Sequence, residues 1–418
     1  MASCFRFLPP FYKPPIPIGY ISPMKTAPDN RSYKALPRDR RRQRLFEIAL
    51  VFLRLGLTAF GGPAAHIAMM EEEVVHKRKW ITREEFLDLL GATNLIPGPN
   101  STELAIHLGF SRGGVLGLIT AGVCFILPAM ATVLVFAVLY ARHGQVTEVA
   151  GVMAGIKPVV LAVVLQALLR LGKSVIKGWL PGVLVAASLA LYFLGVAEIP
   201  ILFGAGLVML LAKNWQRLKN RLFAAPLPLF LASAAPAAAN PPAALGAGGI
   251  FLVFLKIGSV LYGSGYVLLA FLERELVALR GLLTQQQLLD AVAVGQFTPG
   301  PVFTTATFVG YQIGGLGGAL SATAGIFLPS FLLVFLLNPF IPKMRASPLL
   351  GAALDGVNAA SLALMAAVSL KLGMGSLVDL PSALLFVVSL LVMMKWKINS
   401  FWLILAGGAL GYLYTLII

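Results

Sequence analysis

Apolar runs alternate with short basic clusters along most of this chain. The runs begin near residue 45 and recur at 114–140, 150–169, 180–212, 249–272, 286–310, 316–341, 349–371, 382–394 and 398–418. About 20 apolar residues cross the hydrocarbon core of a bilayer, so the pattern predicts about 10–13 helical spans. The run at 180–212 predicts two short or tilted helices split near Glu198-Ile199-Pro200. From Trp80 to Leu90 the periodicity is amphipathic. Ile81, Phe86, Leu87, Leu89 and Leu90 oppose Arg83, Glu84, Glu85 and Asp88, which predicts a helix lying in the membrane interface.

Two of the runs are interrupted by one tripeptide. Leu95-Ile96-Pro97-Gly98-Pro99-Asn100-Ser101-Thr102-Glu103 comes back as Phe297-Thr298-Pro299-Gly300-Pro301-Val302-Phe303-Thr304-Thr305. Pro-Gly-Pro cannot continue a helix, because both prolines lack the amide donor and glycine offers no steric guide. A turn between two spans would explain a single copy. Two copies, each beside polar residues, predict broken or re-entrant helices around a binding site. Freed backbone at lipid depth is tolerated only where protein or a polar cavity satisfies it. A further breaker, Gly61-Gly62-Pro63, ends the first apolar run, and Gly263-Ser264-Gly265 stands in the matching place without the proline.

The duplication reaches well beyond the tripeptides. The shift that carries Pro97 onto Pro299 also carries Phe52 onto Phe254, Gly56 onto Gly258, Glu71 onto Glu273, Thr82 onto Thr284 and Asp88 onto Asp290. After a one-residue slip it carries Pro128 onto Pro329 and Gly155 onto Gly356. The expected fold is therefore an all-α, polytopic membrane protein of two homologous halves, residues 45–212 and 249–418. A basic, Pro-rich cytoplasmic tail (1–44) and a basic, then Ala/Pro-rich linker (213–248) lie outside them. No cleavable signal is read in residues 1–44, whose prolines interrupt any apolar core. Basic clusters precede both halves, which would suit parallel copies. A crossing by residues 222–240 would invert them, and inverted halves are the preferred reading. The basic Lys77 to Lys79 fits only if residues 45–70 form a broken hairpin.

Composition narrows the class. The chain is 58% hydrophobic and only 12% charged, whereas a soluble domain carries about 25% charged residues. The net charge of +16 sits in clusters such as Arg38 to Arg44, Arg170 to Lys177 and Lys213 to Arg221. These fit cytoplasmic loops and lipid headgroups, not a nucleic-acid surface. Two cysteines and four histidines have no disulfide or metal-ligand spacing. Gly172-Lys173-Ser174 lacks the glycine a phosphate loop needs, since Ala167 occupies its place. No cofactor and no metal are expected. A membrane-embedded enzyme would need a clustered carboxylate or histidine constellation, which is absent, so the chain is expected not to be an enzyme.

The candidate chemistry is anion binding. A helix that starts after the second proline aims free amides and its positive dipole end at an anion. Pro97, Gly98, Pro99, Pro299, Gly300 and Pro301 shape the two breaks. Asn100, Ser101, Thr102, Thr304 and Thr305 add groups that bond oxoanion oxygens. Arg54 and Lys256 keep their sign and register, two residues before Gly56 and Gly258. Snorkelling to the interface is the alternative, but charges within spans usually face a cavity or a partner. Lys157, beside Pro158, is a second basic candidate. Among the acids, Glu103 is expected to carry a coupled proton or to pair with Arg112. Asp88 and Asp290 are either coupling groups or structural caps. Glu71, Glu73, Glu273 and Glu275 are expected to be solvated at helix ends, and His66 and His107 to be packing residues. Gly61, Gly62, Pro63, Gly263, Ser264 and Gly265 are expected hinges or breakers.

At these residues the sequence resembles the chromate transporter family in its long, two-domain form. Phe60-Gly61-Gly62-Pro63, the paired Pro97-Gly98-Pro99 and Pro299-Gly300-Pro301, and the runs ending in Phe125-Ile126-Leu127-Pro128 and Phe327-Leu328-Pro329 carry the resemblance. It covers about residues 45–418. The resemblance implies a secondary transporter of the bacterial inner membrane that exports chromate and confers resistance, with sulfate as the chemical look-alike. Expected partners are a chromate- or sulfate-like oxoanion and membrane lipid, with a homodimer allowed. The second half departs from the pattern at Gly263-Ser264-Gly265, which makes the two breaks inequivalent.

Overall fold

The structure is a computed structural model that describes residues 33, 36–144, 146–219, 245–262, 265–341, 344, 347–396 and 398–417, with the side chains of 215–219 and 266 left aside. Its regular elements are all helical. The first half holds α1 (Arg38–Thr58), α2 (Pro63–Glu71), α3 (Arg83–Thr93), α4 (Asn100–His143), α5 (Thr147–Val175), α6 (Trp179–Phe193) and α7 (Glu198–Lys219). The second repeats them as α8 (Ala247–Val260), α9 (Leu268–Leu272), α10 (Gln285–Phe297), α11 (Thr305–Leu337), α12 (Pro348–Ser376), α13 (Leu380–Trp396) and α14 (Ser400–Ile417). The match extends to local chemistry. A π-helical turn follows α2 at Glu72–Lys77 and follows α9 at Glu273–Ala278. Both α3 and α10 open on a capping box, Thr82 with Glu85 and Thr284 with Gln287, in which side chain and backbone amide bond reciprocally.

Neither α4 nor α11 is a single rod. Gly114 (φ 60°, ψ −149°) and Gly315 (φ 58°, ψ −148°) hold non-helical backbone in the left-handed range, where side chains are disfavoured. The chain folds back on itself there. Gly109 lies against the carbonyl of Gly117, and Gly310 against that of Gly318. The hydroxyls of Thr307 and Thr323, sixteen residues apart, bond at 2.7 Å. Each element is thus a short half-helix (100–113 or 302–313) followed by a long one. The long part of α4, residues 115–143, is about 43 Å at 1.5 Å per residue and crosses a bilayer with tilt.

The helices before α4 also form hairpins. Arg78 donates to Glu47 at 3.0 Å, and Arg112 reaches the same carboxylate at 3.4 Å, so the middle of α1, the end of the π turn and the end of the half-helix share one base. The tips of the two hairpins are Gly61-Gly62-Pro63 and Pro97-Gly98-Pro99. Residues 45–70 therefore form the broken hairpin that the basic Lys77 to Lys79 required. Among the described residues, five helices are long and apolar enough to cross a membrane, and three further apolar helices are shorter. The fold-back hairpins hold the runs at 45–60 and 286–310, and α7 holds the second part of the 180–212 run.

The halves are inverted. α4 leaves the base formed by Glu47, Arg78 and Arg112 and ends with the Tyr140 hydroxyl on Asp290 of α10, near the base of the second half's hairpins. Phe331 of α11 lies on Gly122 while Gln312 donates to the Ala137 carbonyl at 3.4 Å, so the two long helices run antiparallel. The last helices are exchanged: α14 packs on α5, where Gly411 lies against Gly151 and Gly155, and α7 packs on α12, where Gly356 lies against Ala205 and Gly206. Glycine lets these backbones approach closely without a water-driven hydrophobic effect.

Two boundaries differ from expectation. The basic run Arg38 to Arg44 is the first two turns of α1, not part of the tail, because it holds no proline and continues the helical pattern. α7 runs through the basic cluster to Lys219, which shortens the linker. The 180–212 run does split, at residues 194–197. Residues 1–32, the 222–240 crossing, Gly263 and Ser264 lie outside the described residues.

Candidate functional site

Each Pro-Gly-Pro break is tied to the breaker of the opposite half. The Gly98 amide donates to the Leu261 carbonyl at 2.8 Å, and the Gly300 amide to the Ala59 carbonyl at 2.9 Å. These four residues occupy matching places in the repeat. Gly98 (φ 143°) and Gly300 (φ 86°) hold backbone that an L side chain rarely adopts, which is why glycine stands between the prolines. His66, buried with its ring edge on Phe125, places Nε2 3.1 Å from the Ala59 carbonyl. A carbonyl only accepts, so Nε2 carries the hydrogen.

Past each break a half-helix begins in protein, not in solvent. The Thr102 and Glu103 amides close onto the Pro99 carbonyl, which leaves the Asn100 and Ser101 amides as the donors of the first turn without a backbone partner among the described residues. In the second half the Thr304 amide closes onto Pro301, leaving Val302 and Phe303. Such ends carry partial positive charge. The first end already holds an acid. Glu103, fully buried, turns its carboxyl back to Gly98, where Oε1 accepts from Ser330 Oγ of α11 at 3.3 Å. Its other oxygen, Oε2, has no partner among the described residues. The second end has Thr305 in that position and no acid.

The other candidates separate. Thr304 and Thr305 donate their hydroxyls to the carbonyls of Pro301 and Val302, so their protons face their own turn. Thr102 is buried with its hydroxyl unpartnered among the described residues. Asn100 donates to Asn94 at 2.9 Å across the break. Arg54 is exposed on α1 and has no ion pair among the described residues, whereas Lys256 pairs with Glu275. Arg112 pairs with Glu47 and not with Glu103, because the half-helix carries it two turns away from the break. Glu73, Glu273 and Glu275 are buried, not solvated. They are engaged by Arg78, Lys371 and Lys256, and half-buried Glu71 by Arg83. Gly265 begins a 3-10 turn that leads into α9.

Lys157, Asp290 and Tyr140 come together across the halves. Lys157 Nζ lies 3.2 Å from Asp290 Oδ1 and donates to Gln286 Oε1 at 2.6 Å, while Tyr140 donates to Asp290 Oδ2 at 2.7 Å. Asp88, the counterpart of Asp290, is exposed. Sequence reasoning missed Tyr140, Gln286 and Ser330. Ser330 follows Pro329, and its counterpart Ala129 is apolar, so nothing in the pattern marks it. Among the described residues no group of three or more His, Cys, Asp or Glu is placed to hold a metal ion.

Comparison with known proteins agrees with this architecture. A sequence model described as chromate transporter matches residues 46–211 and again residues 248–412. The chain is 34% identical over 370 residues to the chromate transport protein of Cupriavidus metallidurans, covering 88% of this chain and 92% of that one. It is 31% identical over 379 residues to the chromate transport protein of Pseudomonas aeruginosa, covering 87% and 90%. An uncharacterized transporter of Bacillus subtilis is 32% identical over 170 residues, which is 40% of this chain and 84% of the relative. No solved structure matches.

Proposed function

The chain belongs to the chromate transporter family, and from that premise we propose that it exports the chromate dianion from the cytoplasm as a secondary transporter and so confers resistance. It is a multi-pass integral protein of the bacterial inner membrane. The observation that carries the reading is the pair of half-helix starts at the Pro-Gly-Pro breaks, each tied by a backbone hydrogen bond to the opposite half. A tetrahedral dianion is held without a covalent bond by converging amides and dipole ends, here the amides of Asn100, Ser101, Val302 and Phe303. Asn100 and Thr102 contribute side-chain groups. Thr304 and Thr305 shape the second break and leave its positive end uncompensated.

Arg54 raises the local potential for an anion more than Lys256 does, because Glu275 neutralises the lysine. Glu103 competes for the same helix end. Ionised, it repels the oxoanion; protonated, it donates a hydrogen bond to it. Proton and oxoanion are thereby coupled at one break. The membrane potential suffices as a driving force, since a dianion leaving a negative interior gains roughly 4.6 kcal/mol per 100 mV.

The test is flux of labelled chromate into inside-out vesicles under an imposed potential, with sulfate as competitor. Uptake that follows the potential supports electrogenic export. Sulfate carried in place of chromate would leave the site standing with a different cargo, and no flux of either from folded protein would refute the reading.

A further inference from the structure

The two halves match in sequence and in elements but not in exposure. On α3 the residues Arg83, Glu84, Leu87 and Asp88 are exposed, and so is Asn94 just past its end, next to the Pro97 break, while Leu89 to Gly91 are half-buried. On α10, every residue from Leu288 to Gln296 is buried. The charge on α3 marks its open side as facing water, since lipid does not tolerate it. The cores divide in the same way. Ile48, Phe52, Phe86, Leu104 and Phe125 form a core separate from the main one. Their counterparts Ile250, Phe254 and Leu288 lie inside the main core, together with helices of the first half.

What holds α10 shut is specific. Lys157 of α5 and Tyr140 of α4 both engage Asp290, and Lys157 also engages Gln286. Above them Phe297 stacks on Phe401 and meets Phe136 edge-on. In the repeat, Lys157 corresponds to Asn358 and Tyr140 to Ile341, while Asp290 corresponds to Asp88. The matching positions of the other half thus keep the acid but hold neither this lysine nor this tyrosine.

We propose that Lys157, Tyr140 and Asp290 are the latch of a gate. They seal the second re-entrant pair, so that the breaks open only toward the end where α1 begins, and they must part before the bound oxoanion leaves at the other end. These are positioning residues and do not touch the anion. The inference rests on the transport reading above, but its test reads accessibility and needs no substrate. Loss of chromate flux with intact gating would count against the cargo and not against the latch.

The experiment uses the full chain in nanodiscs, without native thiols (Cys4→Ser, Cys124→Ala), and the labelling rate of a polar maleimide. The probes are Asn94→Cys at the open break and its counterpart Gln296→Cys at the closed one. Gln296→Cys is expected to be protected and Asn94→Cys reactive. Breaking a buried pair leaves an uncompensated charge, so Lys157→Met should raise Gln296→Cys labelling on the order of tenfold or more. It should lower that of Asn94→Cys. The exchange Lys157→Asp with Asp290→Lys should restore protection. Asn358→Lys, which places a cation at the position matching Lys157, should lower Asn94→Cys labelling in an otherwise native background. Unchanged protection of Gln296→Cys without the latch would overturn the proposal. So would both probes rising together, which signals loosening and not alternation.

Discussion

Substituting Gly300 by alanine separates the two reasons for a glycine between the prolines. At φ 86° an L side chain is strained, which costs about 1–2 kcal/mol. A Cβ there would also stand 2.8 Å from the Ala129 Cβ and 3.3 Å from the Gly56 carbonyl oxygen. Overpacking of that kind costs about 1–3 kcal/mol, so Gly300→Ala should destabilise by about 2–5 kcal/mol. Gly281 (φ 58°) has nothing within 4 Å of a built Cβ, so Gly281→Ala isolates the backbone strain, about 1–2 kcal/mol. Adding Ala129→Gly to Gly300→Ala removes the nearer contact and should recover about 0.5–2 kcal/mol, because glycine inside a helix itself costs about 0.5–1 kcal/mol and the Gly56 contact and the strain stay. Denaturant titration in mixed micelles measures all four proteins. The reasoning fails if Gly300→Ala is no worse than Gly281→Ala, or if Ala129→Gly brings no recovery.

Arg54→Gln should reduce chromate flux more than Lys256→Gln, because Glu275 already offsets the lysine; equal loss in two well-expressed variants contradicts the proposed division of roles. Glu103→Gln should leave flux under a membrane potential but abolish its response to an imposed pH gradient, and a retained response removes Glu103 from coupling. The Asp379 carboxyl, in the loop before α13, is held below the usual carboxylate range by the Ser382 amide, which it bonds at 2.7 Å. Because the folded value is depressed, this cap stabilises above the unfolded value, about 4, and is lost as pH falls through the folded one. Hydrogen exchange in the first turn of α13 should therefore quicken, relative to the intrinsic rate, at low pH in the native chain but be quick at all pH in Asp379→Ala.

Much of the fold was legible because its devices are local. Prolines, glycines at positive φ, capping threonines and the spacing of apolar runs each act within a few residues, and duplication repeats them in register. The breaks and the two halves follow from these. The partners of charged side chains were less legible, because they depend on which helices the inverted halves exchange. Glu103 and Arg112 are two turns apart on one half-helix, yet each is drawn to another element, to Ser330 and Glu47. Lys157 and Asp290 meet only because α5 crosses into the second half. The burial of Glu273 and Glu275 had no local signal either, since the same acidic pattern suits a solvated helix end. Nor did sequence symmetry disclose the unequal exposure of α3 and α10, which is a property of the conformation.

The reciprocal backbone bonds at the breaks also constrain how the protein is made. Gly98 donates to a carbonyl that leaves the ribosome only after the rest of the first half and the linker, while Ala59 waits longer still for Gly300. Until then the Gly98 amide of the newly inserted first half is unmatched, which is expensive away from water, and the Ala59 carbonyl has only the His66 ring. Maturation is thus concerted across the chain. A half inserted alone stays incomplete unless it meets a second copy that entered the membrane upside down.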